Sequence, residues 1–330
     1  MELFLLNFLF LQQIMFRTEV DIPISDFKIN YRDSIMTLGS CFAENIGKTM
    51  KDLYLDVDIN PFGVLYNPMS ILNSLEFLLQ NKQFSVSDLF ERNGLWSSFN
   101  HSSQFSDINP DRCIESINNR ITYSSEFIKN AKVLMLTFGT SWIYEEKESG
   151  KIVSNCHKLP SSVFNRRRLT IDEIVDAYSN ILEKIKNSNP ELKIIFSVSP
   201  VRHLKDTAHG NNLSKSILLL AIDELCRRFE NVVYFPAYEI LLDELRDYRF
   251  FADDMLHPSD VAVSYIWQRF SDVYFSKETK ILISELKNYS NRLNHRTFYA
   301  DTEQDKIFKE KTQEMKISLG SKYPFLKDRL

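Results

Sequence analysis

Glycine is scarce in this chain, with 8 in 330 residues. There is no Walker pattern and no Gly-x-Gly-x-x-Gly, the loops whose backbone N–H groups cradle phosphates, so nucleotide binding through either is excluded. The four cysteines, Cys41, Cys113, Cys156 and Cys226, show no Cys-x-x-Cys spacing and are too few for a disulfide framework. The six histidines lack the paired spacing of a zinc-binding helix, so no metal is expected. Positive charge is not in excess either. Lys and Arg number 40 against 44 acidic residues, a formal charge of −4, which argues against a nucleic-acid partner or an anionic membrane surface. The run Arg166-Arg167-Arg168 is the exception and reads as a solvated loop.

Long apolar runs are also missing. Residues 1–14 are apolar but fall short of the roughly 20 residues that span a bilayer, so no integral membrane span is expected. Glu2 stands where an export signal carries positive charge, and no Ala-x-Ala follows. Met15, followed by Phe16-Arg17-Thr18-Glu19, reads as a start of its own. Residues 1–14 are therefore taken as an apolar leader or a mis-assigned start, and the expected location is cytoplasmic, with export left open.

What is present is ordinary globular composition, 44% hydrophobic and 25% charged, arranged as alternating strands and helices. Residues 35–38 form a short apolar run, residues 71–79 a helix pattern, and residues 133–138 a second apolar run. Thr170 and Glu173 form a capping box ahead of a helix with Ile174, Tyr178, Ile181, Leu182 and Ile185 on one side. Residues 193–201 read as a strand, 214–229 as a helix and 232–235 as a strand. This alternation predicts an α/β fold with a mostly parallel sheet covered on both faces. Residues 15–290 are read as one domain carrying an inserted irregular lobe (about residues 81–111), and residues 291–330 as a polar, Lys-rich helix or tail.

Chemistry concentrates at two places. The run 35–38 stops at Gly39, and Ser40 and Cys41 then open a helix pattern with Phe42, Ile46 and Met50 on one face. A strand turning into a helix through Gly gathers free N–H groups at the turn, where a Ser or Cys can attack a carbonyl and the N–H groups can hold the oxyanion. Cys41 as a small buried hydrophobe and Ser40 as a plain N-cap are equally ordinary roles. Far along the chain, Asp254-Met255-Leu256-His257-Pro258-Ser259 precedes another helix pattern. An Asp three residues before a His can fix its tautomer and leave the other ring nitrogen as a general base, although such pairs also tie loops together.

The segment Gly39-Ser40-Cys41-Phe42-Ala43 reads letter for letter as the motif that names the GSCFA family, a group within the wider SGNH/GDSL hydrolase class. The resemblance runs from about Phe16 to about Phe275 and takes in Asn155-Cys156-His157-Lys158, Ser199-Pro200-Val201-Arg202-His203 and Asp254-Met255-Leu256-His257-Pro258. It implies a three-layer α/β/α sandwich of SGNH, flavodoxin-like type that hydrolyses or transfers acyl esters. The nucleophile follows strand one, and the Asp-x-x-His precedes the last helix. Class members read Gly-Asp-Ser at the nucleophile. Laying Gly39 on that Gly puts Cys41 on the Ser, with Ser40 a close rival. A thiol at a helix N-terminus beside a His is expected to have a lowered pKa. Where the class carries Gly-x-Asn-Asp, this chain has Gly139-Thr140-Ser141-Trp142, so Ser141 replaces the oxyanion-binding Asn. Gly63 is the candidate second-block backbone donor. Asn155, His157 and Arg202 are expected past the strand ends, as substrate or oxyanion contacts.

The reading is an esterase or an O-acyltransferase acting on a small-molecule or carbohydrate ester. Cys41 or Ser40 would be the nucleophile, His257 the base and Asp254 its orienter. No cofactor is required; a transferase would use an acyl thioester donor. The alternative is a non-catalytic module holding a glycan or acyl ligand through Arg202 and His157.

Overall fold

The computed structural model describes residues 18–293, 295, 302–327, 329 and 330. Residues 1–14, read above as a leader or mis-assigned start, lie outside the described residues. Ten strands are present among them: β1 (Ile35–Gly39), β2 (Val57–Ile59), β3 (Phe90–Arg92), β4 (Leu95–Ser97), β5 (Val133–Phe138), β6 (Trp142–Glu146), β7 (Ile152–Val153), β8 (Phe164–Arg168), β9 (Lys193–Val198) and β10 (Val232–Tyr234). The longer helices are α1 (Cys41–Asp52), α2 (Pro68–Gln80), α3 (Pro110–Asn130), α4 (Ile171–Ser188), α5 (Thr207–Arg228), α6 (Asp260–Tyr274), α7 (Lys277–Leu293) and α8 (Glu303–Lys322).

The main sheet is five-stranded and parallel, in the order β10-β9-β5-β1-β2. Its central strands are buried on both faces, which explains their unbroken apolar runs. Side chains alternate across the sheet. Met36, Leu38, Leu134, Leu136, Phe138, Ile194 and Phe196 share one core with α2, α3, α4 and α5. Ile35, Val133, Met135 and Ile195 share the other with α1, α6 and α7. These two cores make the three-layer α/β/α arrangement that the alternation and the resemblance predict.

Helix starts follow local chemistry. Asn67 accepts from the Ser70 N–H ahead of Pro68, and Asn109 accepts from the N–H groups of Asp111 and Arg112 ahead of Pro110. The Thr170–Glu173 capping box is present in both directions. Ser259 caps α6 through the Ala262 N–H.

Several boundaries differ from the sequence pattern. Strand β9 ends at Val198 and β10 at Tyr234, while α5 begins at Thr207, seven residues before the apolar periodicity shows itself. That first stretch, Thr-Ala-His-Gly-Asn-Asn, contains mostly weak helix formers, so its helical state is set by packing. Asn211, for example, is buried and accepts from the His203 N–H at 3.0 Å. The irregular lobe expected at about residues 81–111 contains the antiparallel pair β3–β4, and a second antiparallel sheet, β7-β6-β8, is built from residues 142–168 and adds to it. Asn93 and Gly94 both take positive φ (54° and 79°) in the two-residue β3–β4 turn, a strong hairpin signal that strands of three residues make easy to overlook. The triple-Arg run is no loop. It lies in β8, where Arg166 pairs with Asp206, and Arg167 pairs with Glu145 and Glu173. The polar C-terminal stretch contributes α8, whose Leu319 is buried in the second core.

One backbone position fixes the geometry of the sheet centre. Gly39 has φ +145°, and a Cβ there would run into the backbone of Thr137, its register partner on β5. Only glycine lets the two strands close at this point. Gly39→Ala is therefore expected to lower unfolding free energy by at least about 1 kcal/mol, read as a shift of the denaturant midpoint. An unchanged midpoint would remove the close approach from this account.

Candidate active site

The chain leaves β1 through α1 to the sheet edge at β2, then returns to place β5 on the other side of β1. This reversal falls between β1 and β5, and in open α/β sheets the ligand crevice lies past the C-terminal strand ends at such a point. Gly39 and Ser40 are pinned there. The Gly39 N–H donates to Asn60 Oδ1 at 2.9 Å, its carbonyl accepts from the Leu65 N–H at 2.9 Å, and the Ser40 N–H donates to the Thr137 carbonyl at 3.3 Å. The first intrahelical bond of α1 runs from the Glu44 N–H to the Ser40 carbonyl. The N–H groups of Cys41, Phe42 and Ala43 precede it and have no carbonyl within the helix to donate to.

The two nucleophile candidates differ in exposure. Ser40 is 1% exposed and its hydroxyl is buried without a partner among the described residues. Cys41 is half-buried. Its thiol pKa is raised rather than lowered, which corrects the expectation from helix position alone. Burial is the largest influence and disfavours the thiolate. The N–H groups of Phe42 and Cys41 and the charge on Lys215 pull the other way, and Glu44 adds to the rise.

Asp254 and His257 form the pair that their spacing suggests. His257 Nδ1 lies 2.6 Å from Asp254 Oδ2, while Asp254 Oδ1 accepts from the N–H groups of Leu256 and His257, each at 2.9 Å. Met255 takes φ 59° to allow this turn. The His257 and Leu256 N–H groups, then the imidazole, hold the Asp254 carboxyl down at about 2. Among the described residues no hydrogen bond joins His257 to Cys41 or Ser40.

A sequence profile described as GSCFA family matches residues 34–270, a span that opens just before β1 and takes in both Gly39-Ser40-Cys41 and Asp254–His257. The chain belongs to the GSCFA family. No curated protein matches it. Solved structures resemble it at low identity. An acetyl xylan esterase from the rumen bacterium Butyrivibrio proteoclasticus is 12% identical (TM-score 0.37, covering 77% of this chain and 64% of that one). A family two carbohydrate esterase from Clostridium thermocellum, solved with cellohexaose, is 12% identical (TM-score 0.36, 77% and 65%). The lipopolysaccharide acetyltransferase periplasmic domain of Salmonella ser. Paratyphi A is 13% identical (TM-score 0.34, 76% and 84%). This chain thus spans just under two thirds of the length of each esterase.

The remaining candidates in this GSCFA chain separate by what already holds them. The Gly63 N–H, expected as an oxyanion donor, is given to the Asn60 carbonyl at 2.7 Å. Gly63 itself, at φ 78°, makes room for the Ser102 side chain. Ser141 does follow the end of β5, which pairs with β1 as its position requires. Its side chain, however, is fully buried, with Ser214 Oγ 3.1 Å from its hydroxyl and 2.8 Å from its N–H. Asn155 accepts from the His157 N–H at 2.8 Å, and His157 Nε2 lies 2.9 Å from the Ser98 carbonyl, so both brace the lobe. His101 is enclosed by Phe62, Phe84 and Phe105, and burial drives its pKa down to about 3. Arg202 is exposed, makes no ion pair among the described residues, and acts through its charge on Tyr238.

Sequence reasoning passed over two residues here, Tyr66 and Lys215, and placed His203 past the strand ends without giving it a role. Tyr66 presents its ring edge-on to His203 at 5.9 Å between centroids, and its carbonyl accepts from the N–H groups of Gly139 and Thr140. His203 lies against Gly139 and is pushed down to about 4 by burial and then by Lys215. Lys215 is buried inside α5. Its signal was available, because Lys215, Leu218 and Ile222 fall on one helix face and a lysine interrupts that apolar stripe.

The Asp254 carboxyl is depressed in the folded state, so its contribution to stability is present above the unfolded carboxylate range, near pH 4, and is lost as pH falls through about 2. Asp254→Asn should therefore reduce the loss of stability between those limits, measured as the difference in denaturant midpoint between the two pH values. Identical acid sensitivity in both proteins would contradict this linkage.

Proposed function

We propose that this chain is an acyl-ester enzyme of the SGNH type, with Cys41 as nucleophile, His257 as general base and Asp254 as its orienter. The observation that carries the reading is the Asp254–His257 pair, 2.6 Å apart with Nε2 left unengaged among the described residues, on a chain whose first core strand delivers a thiol to the first N–H groups of a helix. Cys41 is preferred to Ser40 because its side chain is partly accessible while the Ser40 hydroxyl is sealed in.

In the first step the Cys41 sulfur bonds to the ester carbonyl carbon and its proton passes to His257 Nε2. The N–H groups of Cys41 and Phe42 carry the oxyanion, and the alcohol departs with the imidazole proton. Water or a sugar hydroxyl then attacks the acyl-thioester and gives its proton to His257, and the thiolate leaves and is reprotonated. Water makes the protein an esterase. A sugar hydroxyl, with the acyl group delivered from a thioester, makes it an O-acyltransferase. A carbohydrate is the acyl carrier we favour, since Tyr66, 41% exposed beside His203, offers an aromatic face at the crevice. The second reading is a non-catalytic ligand-binding module. The engaged Ser141 hydroxyl, standing where the class places its Asn, favours it.

Aryl acetates, and separately an acyl thioester with a sugar acceptor, test these readings. Cys41→Ala and His257→Ala should each lower turnover by about a hundredfold or more, with Ser40→Ala retaining most of it. Alkylation should reach Cys41 before Cys113, which is fully buried. Wild-type turnover in both Cys41→Ala and His257→Ala would end the catalytic reading, and no turnover by the wild type with either substrate would favour the binding module.

A further inference from the structure

One imidazole past the strand ends is left without a hydrogen bond. His203, in the loop after β9, brings Nε2 to 3.5 Å from where a Cβ on Gly139 would stand, so the ring lies over the end of β5. The ring meets Tyr66 edge-on at 5.9 Å between centroids, and neither ring nitrogen has a hydrogen-bond partner among the described residues. The backbone that carries it is fixed. Its N–H donates to Asn211 Oδ1 at 3.0 Å, its carbonyl accepts from the Asp206 N–H at 3.1 Å, and Asp206 pairs with Arg166. Lys215 Nζ donates to the Gly139 and Ser199 carbonyls, each at 2.7 Å, which ties the ends of β5 and β9 together.

Strand register sets the level of this ring against the nucleophile. Gly39 pairs with Thr137, and Cys41 and Gly139 each stand two residues further on, past the ends of neighbouring strands that run about 4.8 Å apart. The connection from β2 to α2 links the two ends. The Leu65 N–H donates to the Gly39 carbonyl, and the carbonyl of the next residue, Tyr66, accepts from Gly139 and Thr140. Ser214 takes the Ser141 N–H and hydroxyl, so no backbone donor is left at Gly139, Thr140 or Ser141. An oxyanion held only by the first N–H groups of α1 therefore lacks a partner on its β5 side. We propose that His203 is that partner, its Nε2–H donating to the oxyanion opposite the N–H groups of Cys41 and Phe42. The inference rests on the Cys41 reading above. Burial, then Lys215, push His203 down to about 4, so near pH 7 the ring is neutral and offers one N–H. An oxygen anion at Nε2 selects the tautomer that carries the proton there. No proton moves to or from His203 in either step, and His257 keeps the role of base.

Two substitutions in the full chain separate a donor from a filler. His203→Phe keeps a ring beside Tyr66 without an N–H, and His203→Gln carries an amide donor without a base. With aryl acetates, His203→Phe should lower kcat about a hundredfold at little change in KM, while His203→Gln stays within about tenfold of the wild type. His203→Leu takes its place should the Phe variant fail to fold. A second readout needs no leaving group. A trifluoromethyl ketone adds to the Cys41 thiol as a hemithioketal, and fluorine NMR follows ionisation of its hydroxyl with pH. That hydroxyl should ionise at higher pH in His203→Phe than in the wild type or His203→Gln. Where the wild type turns over through Cys41, a folded His203→Phe protein matching it in both readouts would overturn the inference alone. So would a folded His203→Gln protein as impaired as His203→Phe, because a base would then be what is missing. A His203-dependent adduct without ester turnover would sink the ester-turnover reading and keep the donor. A wild type that forms no adduct and turns nothing over would end both.

Discussion

Everything at the crevice depends on how closely β1 approaches β5. A side chain at Gly39 would collide with the Thr137 backbone, so the absence of one is what allows the two strands to stay in register to the turn. That register sets the start of α1, directs the first N–H groups of the helix toward the Cys41 sulfur, and leaves Ser40 beneath it. The pins around it are backbone groups and one amide: Asn60 on the Gly39 N–H, Leu65 on the Gly39 carbonyl, Tyr66 on Gly139 and Thr140. All three partners come from the single connection between β2 and α2, so one loop pins the ends of both β1 and β5.

Electrostatics in this region is a contest between burial and fixed charge. Burial pushes Cys41 up and Lys215 and His203 down, in each case favouring the neutral form. Hydrogen bonding wins only at Asp254, which is exposed and accepts two N–H groups and an imidazole. The Asp254–His257 pair is therefore strong locally while exposed to solvent, whereas the Cys41 thiol is half-buried and Lys215 is buried. The helix N-terminus alone does not set the thiol's ionisation, since desolvation outweighs the N–H groups.

The lobe shows a different economy. Its strands are two to five residues long, and its polar side chains are already engaged, with Asn155 on His157, His157 on Ser98, and Arg166 and Arg167 on carboxylates. Residues that look chemical in sequence, among them His101, are there to fill and brace. Arg166 lies over the Trp142 ring at 4.1 Å and pairs with Asp206, which joins the lobe to the loop carrying His203.

The sequence by itself determined the layer order, the strand–Gly–Ser–Cys–helix turn, the Thr170 and Ser259 caps and the Asp254–His257 pair. Each of these is local, written in a period of two or 3.6 or in a spacing of three residues, and local patterns survive without knowledge of neighbours. Family membership was legible for the same reason, through a contiguous motif. What only the tertiary structure decided is which polar groups are still unspent. Ser141, Gly63, Asn155 and His157 stood at the right chain positions, and each had its hydrogen bond taken by a partner that position alone cannot reveal, Ser214 lying 73 residues beyond Ser141. Lys215 is the converse case. Its value comes from two carbonyls 76 and 16 residues away and from the burial around them, and burial is a property of packing that no stretch of chain carries alone.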